Sequence, residues 1–268
     1  MIFTRWFCAS VVKRLERVYN QRIMLGVLAG AAGLTAAVSA GYQSMSPTGQ
    51  WYGRTFIGLP PGSKKLALTY DDGPNDPHTL RLLEVLAKHN VRATFFLIGR
   101  WVKQRPDIAR EIVRAGHMVG NHTFNHRNLV FVSARQTRLE LEQCKRVLEE
   151  SVGEHSRLFR PPFGGRRPGT VAVARSQGLE PVMWNVTGWD WRGKPAEYVE
   201  RQVCRQVRGG DVILLHDGSH AAFGADRSQT VLATDRLIAR YQAEGYQFVT
   251  VPEMMAEAAL SPQLSAHS

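Results

Sequence analysis

From Lys65 onward the chain alternates between two hydrophobic patterns. Short apolar runs at 66–70, 94–98, 118–121, 158–160, 182–186, 212–215 and 248–251 predict seven strands. Between them, segments 79–89, 106–115, 134–150, 169–177, 196–207 and 227–243 carry apolar residues three or four apart and predict six helices. Strict alternation of this kind implies parallel strands joined by right-handed crossovers, in either an open doubly wound sheet or an incomplete barrel. No internal repeat accompanies it.

The first 64 residues follow another pattern. Arg5, Lys13, Arg14, Arg17 and Arg22 stand against Glu16, and no charge then appears from Ile23 through Gly53. Residues 23–40 have the length of one bilayer crossing, yet they are rich in Ala and Gly, and Val38-Ser39-Ala40 fits a small-residue cleavage site. The expectation is a basic segment (1–22) and a signal peptide or membrane anchor (23–41) that places the rest outside the cytoplasmic membrane. A start at Met24 would delete the basic arm, and a buried Ala-rich helix is the bland alternative. Residues 42–64, rich in Ser, Pro and Gly, read as a linker or irregular lead-in, 65–255 as the folded domain and 256–268 as a tail.

Composition narrows the picture. With 268 residues and 44% apolar content, the chain can bury one sizeable core. The net charge of +11 is uneven: residues 1–64 hold seven basic residues and one acid, the remainder 27 and 22. No basic stripe is interleaved with stacking aromatics, so nucleic acid is not expected as a partner, and no protein partner is inferred. Cys8, Cys144 and Cys204 form no CxxC pair, and no disulfide is expected.

The polar residues collect at the C-terminal ends of the predicted strands, where α/β folds place their sites. The first strand runs into Asp71-Asp72-Gly73-Pro74, whose Gly-Pro turn could bring two carboxylates to one pocket, though a bare DDGP also fits a capped turn. After the third come His122 and His126, four apart, on one side of a helical turn if that segment is helical. Two His and one Asp make a three-ligand set that leaves a position open for water, although a surface His pair is the simpler alternative. The fourth strand leads to Arg160-Pro161-Pro162-Phe163-Gly164, the fifth to a Trp-rich stretch from Trp184 to Trp191, and the sixth to His216-Asp217. Tryptophans of this kind also serve ordinary core packing.

Five such sites in this order, each after a successive strand, resemble the polysaccharide deacetylases of the NodB homology type, family 4 carbohydrate esterases. The likeness covers roughly residues 65–255 through TYDDGP, HTFNH, RPPFG, TGWDW and LLH. The resemblance implies a distorted, incomplete (β/α) barrel and metal-dependent removal of acetyl groups from N-acetylated, or in some members O-acetylated, sugars. It implies that Asp72, His122 and His126 bind one divalent metal, zinc first, with cobalt, nickel or manganese as alternatives. Asp71 becomes the general base, paired with Arg160, and His216 the general acid, tuned by Asp190. The backbone N–H of Phe163 becomes the oxyanion donor, and Leu214 and Trp191 the walls of the acetate pocket. Amide hydrolysis needs these types on chemical grounds too: an activated water, an electrophile at the carbonyl oxygen and a proton for the departing amine.

Three departures from the family pattern stand out. Phe163 replaces the usual Tyr, Tyr70 replaces Phe, and Thr187 stands where the first Asp of DxxDW is usual. The last bears on substrate choice more than on catalysis. The expected function is therefore deacetylation of an envelope N-acetylated glycan, peptidoglycan first and chitin-like oligomers second. The rivals are an O-acetyl esterase acting on xylan or another acetylated polymer, a carbohydrate-binding pseudoenzyme, and a metal-dependent phosphatase, which would usually need a second metal and more acidic ligands.

Overall fold

The computed structural model describes residues 3–153 and 157–265, with side chains described for Tyr19 and for 21–260 outside the gap. The side chains of Cys8 and of the basic residues before Tyr19, and the last three residues of the C-terminal tail, lie outside the described residues. The chain divides into two compact units, Met1–Gln43 and Ser44–Ser268. The described residues of the first are helical throughout and belong to α1 (Phe3–Met45), whose last two residues count with the second unit. The α1 stretch Gln21–Met45 is long and apolar enough to cross a membrane, with Ile23, Met24, Leu25 and Val27 exposed.

The second unit is built on eight parallel strands: β1 (Lys65–Asp71), β2 (Thr94–Leu97), β3 (Met118–Asn121), β4 (Leu158–Phe159), β5 (Glu180–Pro181), β6 (Val186–Thr187), β7 (Asp211–His216) and β8 (Gln247–Phe248). They follow the order β5-β4-β3-β2-β1-β7-β6, with β8 pairing the start of β1. The two outermost strands, β5 and β6, are joined by only residues 182–185. Laid flat, seven strands would put those edges about 29 Å apart. The connection spans at most about 17 Å, so the sheet must curl until its edges approach, giving an incomplete barrel.

The two-residue period of β1 sorts its side chains. Leu66, Leu68 and Tyr70 point outward into the main core. There they meet side chains of α2 (His78–Lys88), α4 (Pro106–Arg114), α5 (Ala134–Val152), α7 (Ala196–Cys204) and α8 (Ser228–Ala243). Ala67 points inward, joining Phe96, Leu158, Val182 and Val212 in the barrel's own core. The same alternation carries Thr69 and Asp71 inward from β1, and Leu214 and His216 inward from β7. In β1 and β7 the apolar stretch thus fills the barrel, and the polar C-terminal end opens on the cleft.

Several expectations are corrected. The strand expected at 182–186 is mostly a strap, 182–185, between β5 and β6, because this stretch jumps from one sheet edge to the other. The strand expected at 248–251 stops at Phe248, and α9 (Val251–Ser265) occupies most of the expected tail. Thr250 caps that helix, its N–H and hydroxyl both donating to Glu253. A helix not expected from the sequence, α3 (Gly99–Gln104), follows β2, and a short α6 (Thr170–Ser176) sits where one was expected. The lead-in is irregular but tied down: Phe56 bridges Val182, and Leu59 N–H donates to Gly210 O. Cys144 is buried and Cys204 half-buried, both as free thiols.

Candidate active site

Asp71 closes β1, and Asp72 follows it with left-handed backbone (φ 73°). That conformation turns the second carboxylate into the same cleft; continued strand would have sent it to the opposite face. The turning residue is Asp72 itself, where the sequence suggested the Gly-Pro pair. Gly73 contributes room: a Cβ there would lie 2.2 Å from Asp217 Oδ2.

The two histidines meet, but not on a helical turn. The segment after β3 is a loop in which Thr123 (φ 64°) and His126 (φ 59°) are left-handed. Local polar bonds hold it: Asn121 Oδ1 accepts from Thr123 N, Thr123 Oγ1 accepts from His126 N, and buried Glu140 accepts from Asn125 N. The rings end 4.9 Å apart, centroid to centroid. His126 Nε2 lies 3.0 Å, and His122 Nε2 3.6 Å, from Asp72 Oδ1. One ligand atom from each of Asp72, His122 and His126 falls within 4.8 Å of the others.

This trio fits a divalent cation. Asp72 Oδ1 is buried with no hydrogen bond, an expensive arrangement for a carboxylate oxygen unless a cation satisfies it. Burial alone would raise Asp72, yet the His126 and His220 imidazoles hold it well below the ordinary carboxylate range, so it is an anion. Burial drives His122 down to about 4, leaving a neutral ring. Its Nδ1 lies 2.8 Å from the Arg160 carbonyl, which can only accept, so Nδ1 carries the proton and Nε2 offers its lone pair to the cleft.

Arg160 is fully buried just past β4. Its guanidinium donates to Asp71 Oδ1 (2.8 Å), Thr69 Oγ1 (2.8 Å) and the carbonyl of Met183 (3.1 Å), and it lies 4.1 Å from the centroid of the Phe96 ring. The main chain then turns through Pro162–Gly164, with Phe163 left-handed (φ 58°) and its ring edge-on to His126. On the opposite wall Asp190 accepts from His216 at both ring Nδ1 (3.0 Å) and backbone N (2.7 Å), and Thr230 donates to Asp190 at 2.9 Å. Desolvation pulls His216 down, but the Asp190 charge and hydrogen bond overcome it and raise the imidazole to about 8.

Asp71, Asp72, His122, His126, Phe163, Trp191, Leu214 and His216 all line one cleft of about 510 Å³, with Arg160 and Asp190 behind it as partners of Asp71 and His216. Thr187 also lines it, its Oγ1 accepting from Trp189 N at 3.4 Å. The structure adds residues that the sequence reading had not placed at the site. His220 stacks on His126 at 4.5 Å, and Met45 and Pro47 join Trp184 and Trp189 of the Trp-rich stretch on the walls. A histidine four residues past the sixth expected strand's LLH was a visible signal for His220. Met45 and Pro47 gave none. Asp217, buried next to the cleft floor, is pushed up to about 7 by desolvation, against the Thr79 hydrogen bond that lowers it.

Comparison with known proteins bears on this geometry. The family model for polysaccharide deacetylase matches residues 58–182. A peptidoglycan-N-acetylglucosamine deacetylase of Bacillus cereus is 34% identical over 202 residues, 74% of this chain and 91% of that protein. The chain belongs to the polysaccharide deacetylase family. A chitooligosaccharide deacetylase of Sinorhizobium fredii is 35% identical over 201 residues, covering 72% of this polysaccharide deacetylase and 92% of the relative. Among solved structures, a peptidoglycan N-acetylglucosamine deacetylase in complex with 4-naphthalen-1-yl-N-oxidanyl-benzamide superposes with a TM-score of 0.70 at 34% identity. That match covers 75% of this chain and 91% of the other.

Proposed function

We propose that this protein is a metal-dependent N-deacetylase of an envelope glycan, with peptidoglycan the first substrate and chitin-like oligomers the second. The observation that carries the reading is the convergence, in one cleft, of the Asp72-His122-His126 trio with two differently supported proton-transfer groups, Asp71 and His216. The relatives that act on N-acetylated glycans support the substrate class.

Asp72, His122 and His126 would hold the cation, and their mixed N and O donors suit zinc first, with cobalt, nickel or manganese as alternatives. When bound, it supplies Lewis acidity toward water and the acetyl carbonyl oxygen. Asp71, oriented by Arg160, accepts the proton of the attacking water. The Phe163 backbone N–H donates to the developing oxyanion. His216, charged through Asp190, donates its proton to the departing amine from the opposite wall. Leu214 and Trp191 give the acetyl methyl group apolar walls. Separate partners thereby serve base and acid, Arg160 orienting Asp71 and Asp190 holding the proton on His216. The complete set of ligands and proton-transfer groups argues against a binding-only protein.

Residues 1–22 carry positive charge ahead of an apolar span, which supports export with the catalytic unit outside the cytoplasmic membrane, whether the span is cleaved or kept as an anchor. The deciding experiment measures acetate and new primary amines released from peptidoglycan, chitin oligomers and acetylated xylan by the metal-loaded protein and by Asp71→Asn. Acetate with amine, lost in Asp71→Asn and on chelation, is the expected result. Acetate without amine would reassign the protein as an O-acetyl esterase.

A further inference from the structure

Arg166 is a buried cation outside the catalytic set, only 1% exposed, and no described carboxylate forms a salt bridge with it. Burial of an unpaired guanidinium is tolerated only where several acceptors converge on it. Here they do. Nη2 donates to the carbonyls of Ser46 (2.8 Å) and Gly49 (2.7 Å), and Nη1 donates to the carbonyl of Gly164 (2.9 Å) and contacts Met183 Sδ (3.6 Å). Its backbone N–H donates to Ser44 O at 2.8 Å.

These contacts join two parts of the chain far apart in sequence. One is the segment 44–49, which the sequence presents as a featureless lead-in. The other is the left-handed Phe163–Gly164 turn, where a Cβ on Gly164 would meet Trp184 at 3.0 Å and Met183 at 3.2 Å. Between the clamped carbonyls, Met45 and Pro47 turn into the cleft on the same wall system as Phe163 and Trp184. Met183 is held twice, its sulfur by Arg166 and its carbonyl by Arg160. A guanidinium is suited to this work because its planar fork reaches several fixed acceptors at once, which an ammonium on a flexible stem cannot do.

We propose that residues 44–49 form a fixed wall of the substrate cleft. In this arrangement Met45 and Pro47 pack on the C–H face of a pyranose ring next to the one that loses its acetyl group, and Arg166 is the positioning residue that installs the wall. The proposal rests on the glycan deacetylase reading above.

The test uses the full-length, metal-loaded protein as wild type, Met45→Ala/Pro47→Ala, Arg166→Met and Arg166→Lys. Acetate-release kinetics and calorimetric binding are measured on chitooligosaccharides of two to six units, with limited proteolysis of each protein. For oligomers longer than the dimer, the double variant is expected to raise KM and Kd roughly tenfold, the scale of lost apolar contact in a binding pocket, with kcat little changed. Arg166→Met should give the same KM rise and a new protease cut within 44–50, and Arg166→Lys should fall between. Wild-type KM at every length in the double variant would overturn the proposal, as would full protection of 44–50 in Arg166→Met. If the wild type released no acetate, the deacetylase reading itself would fall. The binding isotherms would still decide the wall, since weaker oligomer binding by the double variant supports it and equal binding overturns it.

Discussion

Asp190 grips His216 at two points, one carboxylate oxygen on the ring Nδ1 and the other on the backbone N–H of the same residue. The first contact charges the imidazole. The second fixes the end of β7, so the ring cannot turn away from the carboxylate that supports it.

A pH prediction follows. The proposed acid, His216, must carry its proton to work, so activity should decline as pH rises through about 8. Asp190→Asn removes the largest opposition to desolvation and leaves the weaker pull of Asp72 and Asp71, so the alkaline limb should move to lower pH by about 1–3 pH units. A pH–rate profile of both proteins checks this, and an unmoved limb would dismiss His216 as the acid. Stability follows the same sign. Because the folded value lies above the ordinary 6.5, protonated His216 adds stability that is complete below about pH 6.5 and is lost as pH rises through about 8.

Cation binding should be measurable apart from catalysis. A ligand at 100 times its Kd that binds only the folded protein adds about 2.7 kcal/mol, several degrees in Tm for a domain of this size. Zinc should raise the Tm of the wild type accordingly and leave His126→Ala nearly unmoved. The affinity lost in that variant, read by calorimetry, should exceed the roughly 10–100-fold typical of changes outside the ligand sphere.

Arg160→Met should be costly in two ways. It leaves the Asp71 carboxylate buried without its partner, which should destabilise the fold by about 3–5 kcal/mol in denaturant titrations. It also releases the carbonyl of Met183. Asp71→Asn, which keeps the shape of the side chain, should abolish turnover with a much smaller loss of stability. Equal stability losses in the two variants would mean that the pair acts mainly as a structural brace.

Gly218→Ala tests the close packing beneath the cleft. A Cβ at Gly218 would sit 2.2 Å from the backbone oxygen of Asp72, so that backbone must move. Overpacking of this kind costs about 1–3 kcal/mol. Here it should also displace Asp72, one of the three proposed ligands, and metal affinity should fall together with Tm. An unchanged affinity would show that the strain is absorbed on the β7 side.

The pattern of residues revealed the alternation of strands and helices, but not which side chains face the barrel interior, because strands buried on both faces read as continuous apolar runs. It also pointed to residues near the C-terminal ends of the strands, and eight of the ten it singled out line the one cleft, with Arg160 and Asp190 hydrogen-bonded behind Asp71 and His216. What it could not show depends on contacts distant in sequence. The 182–186 run is as apolar as a strand, yet its direction is dictated by the gap it must cross. Arg166 lies in a Gly-Gly-Arg-Arg-Pro stretch that reads as a surface turn, and nothing local announces that three carbonyls await it. The start of α9 was legible after all, because Thr250-Val251-Pro252-Glu253 carries a capping pattern within an apparent strand.

Six non-glycine residues among those described have left-handed backbone, and five of them, Asp72, Thr123, His126, Phe163 and Trp189, belong to the loops that form the cleft. Each such conformation costs of order 1–3 kcal/mol and persists only where its surroundings hold it. Thermal robustness and the cleft therefore draw on opposite tendencies. Glycine at Thr123 would ease the backbone while loosening the two imidazoles it spaces, so substitutions chosen purely for heat resistance should favour these loop positions and erode turnover as they accumulate.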